Sequence, residues 1–302
     1  MQNKKKLIVI VGPTAIGKTS LSVSLAKHFN CEILSADSRQ FYKEMEVGTA
    51  KPTPSEMDGV PHHFVNNLSI HENYTAGQFE IDAIKKLNQL YQKDDYAILV
   101  GGSGLFVNAV CFGLDDIPGN SKIRNQLIKE FETHGIENLQ EQVKVIDPVY
   151  YATADVKNPH RLMRALEVFK TSGKAYSSFR NKQTKQRPFN IVWVGLNLPR
   201  EEVYNNINNR VDIMLEKGLL HEVTKLESFK NLSPLKTVGY QEFYPLTQSK
   251  PELKEAIEKV KQNTRRFAKR QITFFRKNES VKWFKPSDIS SIINFINYSN
   301  KD

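Results

Sequence analysis

The sequence predicts an α/β fold in which a parallel sheet core is flanked by helices. Short apolar segments typical of strands alternate with longer segments whose apolar residues recur at helical spacing. A glycine-rich loop directly follows the first of these strands, as in folds that bind phosphate at the end of a parallel sheet. The 302 residues are enough for one large core with a smaller insertion.

Five segments are predicted as strands, and helical patterns separate them. They cover residues 7–11, 32–36, 97–100, 190–196 and 281–284. Residues 117–151 are helical and polar without a good strand, and Asp115, Asp116 and Pro118 mark a boundary there. We therefore expect a helical insertion at residues 116–154 in a core formed by residues 1–115 and 155–302.

Charge and cysteine content narrow the class of protein. A net charge of +10 suggests an anionic macromolecule as partner, and residues 261–285 hold nine Lys or Arg against a single acid, Glu279. A solvated surface would also explain such a cluster, so charge alone leaves nucleic-acid binding open. Cys31 and Cys111 are the only cysteines, which excludes a disulfide framework.

The apolar segments are too short to cross a membrane. None approaches the ~20 residues that span a bilayer, and the run after Lys4, Lys5 and Lys6 is too short for a signal peptide. We expect a cytoplasmic protein with no membrane contact, and a monomer is the default expectation.

The most specific motif is Gly12-Pro13-Thr14-Ala15-Ile16-Gly17-Lys18-Thr19, which fits the phosphate-binding P-loop pattern. Such a loop points backbone N–H groups at an anion beside a helix N-terminus. Lys18 would supply charge to the outer phosphates, and the Thr19 hydroxyl is suited to ligate Mg²⁺. The motif does not identify what carries the phosphates, and a plain strand–turn–helix is the alternative.

Two further segments follow predicted strands and should face the same crevice. Asp37, after the second strand, is suited equally to hold Mg²⁺ through water, to act as a general base or to cap a helix. After the third strand, Gly101-Gly102 stands where a nucleotide hydrolase often has a magnesium-binding Asp. The glycine pair allows close approach to the backbone, with Ser103 as a donor, or it is a tight turn.

Basic residues on two predicted helices are candidates for phosphate contacts. Arg161 and Arg164 lie one turn apart on a helix that begins after Asn158, where they would clamp phosphate or form surface ion pairs. Arg210 is a third candidate. Adjacent His62 and His63 favour a structural or substrate-shaping role over a metal site, because no third ligand lies at a suitable spacing.

The segment from Lys261 to Gln271 predicts a basic helix. Its cations form two rows that we expect to point outward toward a nucleic-acid backbone. The apolar residues of the opposite side are expected to be core rather than base-stacking platforms. The cations are Lys261, Arg265 and Lys269 in one row and Arg266 and Arg270 in the other, and the apolar residues are Val260, Phe267, Phe274 and Phe275.

The sequence contains seven ordered blocks that resemble those of the tRNA dimethylallyltransferases. The blocks are GPTAIGKT, DSRQFY, TAKP, GGSGLF, HRLMRALEV, GYQEF and TRRFAKRQITFFR. The match runs from Leu7 to about Phe284. Departures are mild, with Ile16, Ser103, Phe106 and Phe274 in place of the usual Ser, Thr, Tyr and Trp.

The resemblance implies a P-loop NTPase-like core, a helical insertion and a C-terminal helical region that binds tRNA. The loop would bind dimethylallyl diphosphate, with Mg²⁺ held at Thr19 through the diphosphate. The prenyl group would pass to the exocyclic amine of the adenosine immediately 3′ of the anticodon. Asp37 would be the general base, and Lys18, Thr19 and Arg210 would stabilise the leaving pyrophosphate.

The resemblance also implies the contacts to the tRNA anticodon stem-loop. The target adenosine would leave the loop stack to reach the crevice. The expected contact residues are Asp37, Ser38, Arg39, Gln40, Ser103, His160, Arg161, Leu162, Met163, Arg164, Arg265, Arg266, Lys269 and Arg270.

Two other functions fit parts of the sequence. A P-loop kinase of a small metabolite or nucleoside explains the first motif but leaves the basic cluster unused. A nucleotide-gated RNA-binding protein explains the basic helix but gives Asp37 no task.

Overall fold

The structure, a computed structural model, describes residues 5–180, 184–246 and 251–299. Two compact units make up the chain, one formed by Met1–Phe112 with Gln186–Asp302 and the other by Gly113–Lys185. Lys4 and the extreme ends of the predicted core lie outside the described residues. No helix in the described ranges is long and apolar enough to span a membrane.

A six-stranded parallel sheet forms the first unit, which confirms the predicted fold class. Its strands are β1 (Lys6–Val11), β2 (Ile33–Ser35), β3 (His62–His63), β4 (Tyr96–Val100), β5 (Asn190–Leu196) and β6 (Lys282–Phe284). They lie in the order β3-β2-β4-β1-β5-β6. The sequence predicted five of them within one or two residues and missed the two-residue edge strand β3.

Eleven α-helices occur in the described residues. In chain order they are α1 (Lys18–Phe29), α2 (Pro54–Met57), α3 (Ala76–Leu90), α4 (Gly104–Phe112), α5 (Ser121–Ile146), α6 (Pro148–Thr153), α7 (Pro159–Ser172), α8 (Arg200–Glu216), α9 (Leu219–Leu226), α10 (Pro251–Phe275) and α11 (Ile289–Tyr298). Of these, α5, α6 and α7 belong to the second unit.

The central strand β1 is covered on both faces. All its residues are buried, and Leu7, Val9 and Val11 pack in one apolar cluster while Ile8 and Ile10 pack in another. Alternate residues of a strand point to opposite faces, so these clusters are the two layers between the sheet and its helices. Because β2, β4 and β1 are neighbouring parallel strands, their carboxyl ends lie side by side at one edge of the sheet.

The second unit is larger than the predicted insertion. It runs from Gly113 to Lys185, whereas the prediction ended at residue 154 and assigned α7 to the core. That assignment was wrong because the apolar stripe of α7, including Leu162 and Leu166, packs with Leu127 and Val143 of α5. The stripe predicted a buried helix face but not its partner.

Candidate active site

The P-loop connects β1 to α1 and holds Lys18 close to its own backbone. The Lys18 ammonium donates to the carbonyl oxygens of Gly12 at 3.0 Å and Pro13 at 2.7 Å. Burial lowers the pKa of Lys18 from 10.5 to about 7, the positive charge of Arg210 contributes, and the negative charge of Asp37 opposes the shift. An anion bound here would favour the charged form of this lysine.

The loop forms the wall of a cavity of about 140 Å³, called here the phosphate-loop cavity. It is lined by Thr14, Ala15, Ile16, Gly17, Lys18, Thr19, Asp37, Gln40, Arg210, Phe267 and Gln271. The structure thus brings Lys18, Thr19, Asp37 and Arg210, all predicted from the sequence, to one small cavity.

A larger cavity of about 420 Å³, called here the apolar cavity, adjoins the same residues. Its apolar lining includes Leu105, Phe106, Ile207, Val211, Met214, Val238, Val260 and Phe274. Polar groups on its wall include Ser38, Arg39, Thr49, Ser103 and Arg270. The two cavities share one boundary, because five residues line both of them. These residues are Thr14, Asp37, Arg210, Phe267 and Gln271.

Asp37 lies two residues beyond β2, in a turn rather than at a helix N-terminus. Its Oδ1 accepts a hydrogen bond from the Arg39 backbone N–H at 3.1 Å. The next helix, α2, begins only at Pro54. A helix-capping role is therefore excluded, and the roles of metal ligand and general base remain.

The residues after Asp37 are fixed by contacts to distant segments. Both the backbone N–H and the hydroxyl of Ser38 lie 3.1 Å from the Ser103 hydroxyl. The Arg39 guanidinium donates to the carbonyl oxygen of Pro234 at 3.1 Å, and burial lowers the pKa of Arg39. The Gln40 amide donates to the Ala50 carbonyl oxygen at 3.4 Å. Ser38 and Ser103 thus form one polar edge of the apolar cavity.

Arg210 projects from α8 to the boundary between the two cavities. It donates to the Ala50 carbonyl oxygen at 3.4 Å. Burial lowers the pKa of Arg210, and the negative charge of Asp37 opposes that shift. A guanidinium remains charged in this position, so Arg210 adds a fixed positive charge beside Lys18.

The glycine pair after β4 is explained by packing. A Cβ on Gly101 would lie 2.5 Å from the Ala36 carbonyl group, and one on Gly102 would lie 2.0 Å from the Gln271 amide nitrogen. Gln271 is buried on α10, accepts from the Thr14 N–H at 2.9 Å and donates to the Gly102 carbonyl at 3.0 Å. Sequence patterns assigned no role to Gln271. A polar residue on the buried side of a helix was the signal available.

The basic helix α10 differs from its prediction in two ways. Lys261 pairs with Asp212 at 2.7 Å and Arg265 donates to Asn208 at 2.7 Å, so these two cations face α8 rather than outward. Arg266, Lys269 and Arg270 are exposed as expected.

The aromatic residues of α10 are divided between core and cavity. Val260 and Phe275 are buried as predicted, but Phe267 is 39% exposed and Phe274 is 40% exposed. Both line the apolar cavity, and the Arg270 guanidinium lies 5.9 Å from the centre of the Phe267 ring. The expectation that both are core residues was wrong, because helical spacing does not show where a neighbouring element leaves an opening.

The tRNA contacts predicted on α7 lie in the second unit. His160 and Arg161 are exposed, whereas the Leu162 and Met163 side chains are buried in that unit's core and are not available to a ligand. Arg164 pairs with Glu167 at 3.2 Å and donates to the Ile117 carbonyl at 2.9 Å. An ion pair, the alternative considered for Arg164, is therefore present.

The histidine pair forms β3 at the sheet edge. His62 bonds to the Val60 carbonyl oxygen at 2.8 Å, and His63 lies 2.5 Å from a Glu32 carboxylate oxygen. No group of three or more His, Cys, Asp or Glu side chains suited to a metal ion occurs in the described part of the chain.

The chain is similar to a known protein family and to named proteins. The family model described as IPP transferase matches residues 40–278. A protein of Christiangramia forsetii named tRNA dimethylallyltransferase is 50% identical over 280 residues, which cover 92% of this chain and 93% of that protein.

Two solved structures resemble the whole chain. One is the full-length tRNA isopentenylpyrophosphate transferase of Bacillus halodurans, with a TM-score of 0.70 and 38% identity, covering 97% of this chain and 96% of that one. The other is a eukaryotic dimethylallyltransferase described as acting on tRNA, with a TM-score of 0.78 and 26% identity, covering 95% of this chain and 75% of that one.

Proposed function

Because this chain belongs to the IPP transferase family, we propose that it transfers a dimethylallyl group from dimethylallyl diphosphate to tRNA. The acceptor is the exocyclic amine of the adenosine immediately 3′ of the anticodon, and pyrophosphate is released. The observation that carries this proposal is the position of Asp37 on the wall of both cavities. A base there would take the proton of a nucleophile in the apolar cavity, while the leaving group would lie in the adjoining phosphate-loop cavity.

The phosphate-loop cavity receives the diphosphate of the donor. Lys18 and Arg210 place two positive charges there, and the loop N–H groups point at an anion beside the N-terminus of α1. Since the Thr14 N–H is already bonded to Gln271, the remaining N–H groups of the loop bind the phosphates. These charges stabilise the pyrophosphate that develops as the carbon–oxygen bond breaks.

The side chains also fit a Mg²⁺ ion. The Thr19 hydroxyl and the Asp37 carboxylate line the same cavity, and oxygen ligands are those that Mg²⁺ prefers. Thr19 would hold the ion on the diphosphate, where it would neutralise charge on the leaving group.

The apolar cavity receives the dimethylallyl group and the adenine. The adenine amine is a weak nucleophile because its lone pair is delocalised into the ring. As the amine nitrogen bonds to the allylic carbon, Asp37 takes its proton and the diphosphate leaves with the electrons of the broken carbon–oxygen bond. The apolar wall excludes water that would otherwise compete for the allylic carbon.

The tRNA reaches this cavity from its polar edge. Ser38, Arg39, Gln40 and Ser103 would contact the nucleotides beside the target adenosine. Exposed Arg266, Lys269 and Arg270 would bind phosphates of the anticodon stem, with Arg265 held closer to α8. His160, Arg161 and Arg164 would add contacts from the second unit. We further propose that the protein acts as a cytoplasmic monomer.

The test is a transfer assay without ATP. Purified protein is incubated with labelled dimethylallyl diphosphate, Mg²⁺ and an unmodified anticodon stem-loop, and a stem-loop with guanosine at the target position is the matched control. We expect label in the adenosine stem-loop alone and one pyrophosphate released for each transfer. No transfer of label, together with consumption of ATP in a parallel incubation to which ATP is added, would instead support a kinase or a nucleotide-gated RNA-binding protein.

A further inference from the structure

The segment formed by residues 46–50, called here the 46–50 loop, contributes to the site without regular secondary structure. Gly48 and Thr49 line the apolar cavity. The Ala50 carbonyl oxygen accepts from both Arg210 and Gln40 at 3.4 Å. The loop therefore supplies a hydrogen-bond acceptor to the Arg210 guanidinium beside the two cavities.

Three successive backbone N–H groups of the loop converge on one carboxylate. Those of Glu46, Val47 and Gly48 donate to Glu222 of α9 at 2.9, 2.7 and 2.9 Å. Successive N–H groups that point at one anion form a nest, and hydrogen bonds to a charged acceptor are stronger than neutral ones. A side chain on a separate helix thus fixes a loop that lacks the regular hydrogen bonds of a helix or a strand.

Tyr240 completes the arrangement from the other side. Its hydroxyl donates to Glu222 at 2.6 Å, and its ring is buried against Gly48. A Cβ on Gly48 would lie 2.5 Å from the ring, so the loop backbone and the ring are in direct contact. The Glu222 carboxylate thus accepts four hydrogen bonds from residues in the described part of the chain.

We propose that Glu222 is a positioning residue that holds the 46–50 loop, and through Ala50 the Arg210 guanidinium, in the geometry needed for prenyl transfer. The inference rests on the proposed function. Within the described residues, neither Glu222 nor Tyr240 lines either cavity, so Glu222 acts through the loop and not on a substrate.

The test compares Glu222→Gln with wild type in the transfer assay at saturating concentrations of both substrates. The amide keeps the side-chain shape but offers one acceptor oxygen and two N–H donors to a nest of donors. We expect kcat to fall by about tenfold to a hundredfold, since misplacement of a remote group by about 1 Å costs up to that much. Affinity for the stem-loop should stay within about threefold of wild type.

Hydrogen exchange and two further variants separate positioning from a general loss of structure. Amide protons of residues 46–48 should exchange faster in Glu222→Gln, with the sheet unchanged. Glu216→Gln makes the same charge change at an exposed position of α8 and should leave kcat unaltered. Tyr240→Phe removes one of the four donors to Glu222 and should lower kcat by about threefold. If Glu222→Gln does not fold, this variant tests whether Glu222 positions the loop.

Each remaining outcome contradicts the inference. A Glu222→Gln protein with wild-type kcat would show that the 46–50 loop keeps its position without the Glu222 carboxylate. A stem-loop affinity that falls as far as kcat would make Glu222 part of the binding surface rather than a positioning residue. If wild type itself transfers no label, the proposed function fails, and the inference fails with it. If wild type transfers label and Glu222→Gln has the wild-type kcat, only the inference fails.

Discussion

The phosphate-loop cavity and the apolar cavity are built in opposite ways. Six of the eleven residues that line the first come from one continuous segment, Thr14 to Thr19. The second is lined by residues from many segments between Thr14 and Phe274. A binding site formed by adjacent residues leaves a motif in the sequence, whereas one assembled by the fold leaves only scattered side chains.

This difference explains what the sequence could predict. The P-loop and Asp37 follow strands whose apolar runs are easily recognised, and the parallel sheet places their ends together. Glu222 was not singled out, and Gln271 offered only a polar side chain on the buried side of a helix, because the roles of both depend on backbone groups far away in sequence. Phe267 and Phe274 were misassigned because exposure depends on the neighbouring elements and not on helical spacing.

The fold shows the same division. The local patterns of β1 and α1 are sufficient to predict both elements. The edge strand β3 has only two residues, too few for any pattern. The place of α7 in the second unit depended on its packing partner, which periodicity does not specify.

The largest expected effect lies where the two cavities meet. Asp37→Ala removes the base from the shared wall, and we expect kcat to fall by about a thousandfold. Single-turnover transfer at saturating substrate measures this. Stem-loop affinity should be nearly unchanged, and Asp37→Asn, which keeps the shape, should lose as much activity. A large loss of affinity with residual turnover would make Asp37 a binding residue instead.

A second substitution should affect the phosphate-loop cavity alone. Lys18→Met removes a charge that meets the leaving group, and we expect kcat/KM for dimethylallyl diphosphate to fall by about a hundredfold. Lys27→Met makes the same change at an exposed position of α1 and is the control. Stem-loop affinity measured by fluorescence anisotropy should not change; if it falls equally, the two cavities do not function separately.

The lowered pKa of Lys18 adds a pH dependence to the same prediction. Below pH about 7 the amine is charged in the free protein, whereas above it binding of pyrophosphate must take up a proton. Affinity contributed by Lys18 therefore weakens as pH rises above 7. Calorimetry at pH 8 in buffers of different ionisation enthalpy should detect proton uptake by wild type beyond that of Lys18→Met.

A third substitution should affect the apolar cavity alone. Phe274→Ala removes a half-exposed ring from its wall, and we expect stem-loop affinity to fall by about tenfold if a base stacks there. Phe229→Ala, at 38% exposure and outside the cavity lining, is the matched control. Unchanged stem-loop binding would place the RNA bases elsewhere, and a loss of pyrophosphate affinity would contradict the separation of the cavities.

The smallest effects are expected on the outer face of α10. Arg266→Ala should weaken stem-loop binding a few-fold and reduce the slope of log affinity against log salt by about 0.9 for each phosphate that the variant no longer neutralises. Lys261→Ala should change the slope little because Lys261 already pairs with Asp212. Equal slopes for the two variants would show that an exposed cation and a paired cation of α10 contribute equally to stem-loop binding, which would contradict this prediction.

The central claim is that diphosphate and RNA occupy adjoining cavities at the same time. Its most direct test is a titration of a fluorescent anticodon stem-loop with wild-type protein, with and without saturating pyrophosphate and Mg²⁺. We predict that the dissociation constants of the stem-loop with and without pyrophosphate agree within about threefold. This is a smaller change in affinity than is typical of allosterically coupled sites. Competitive displacement of the stem-loop by pyrophosphate would show that the two ligands share one cavity and would contradict the claim.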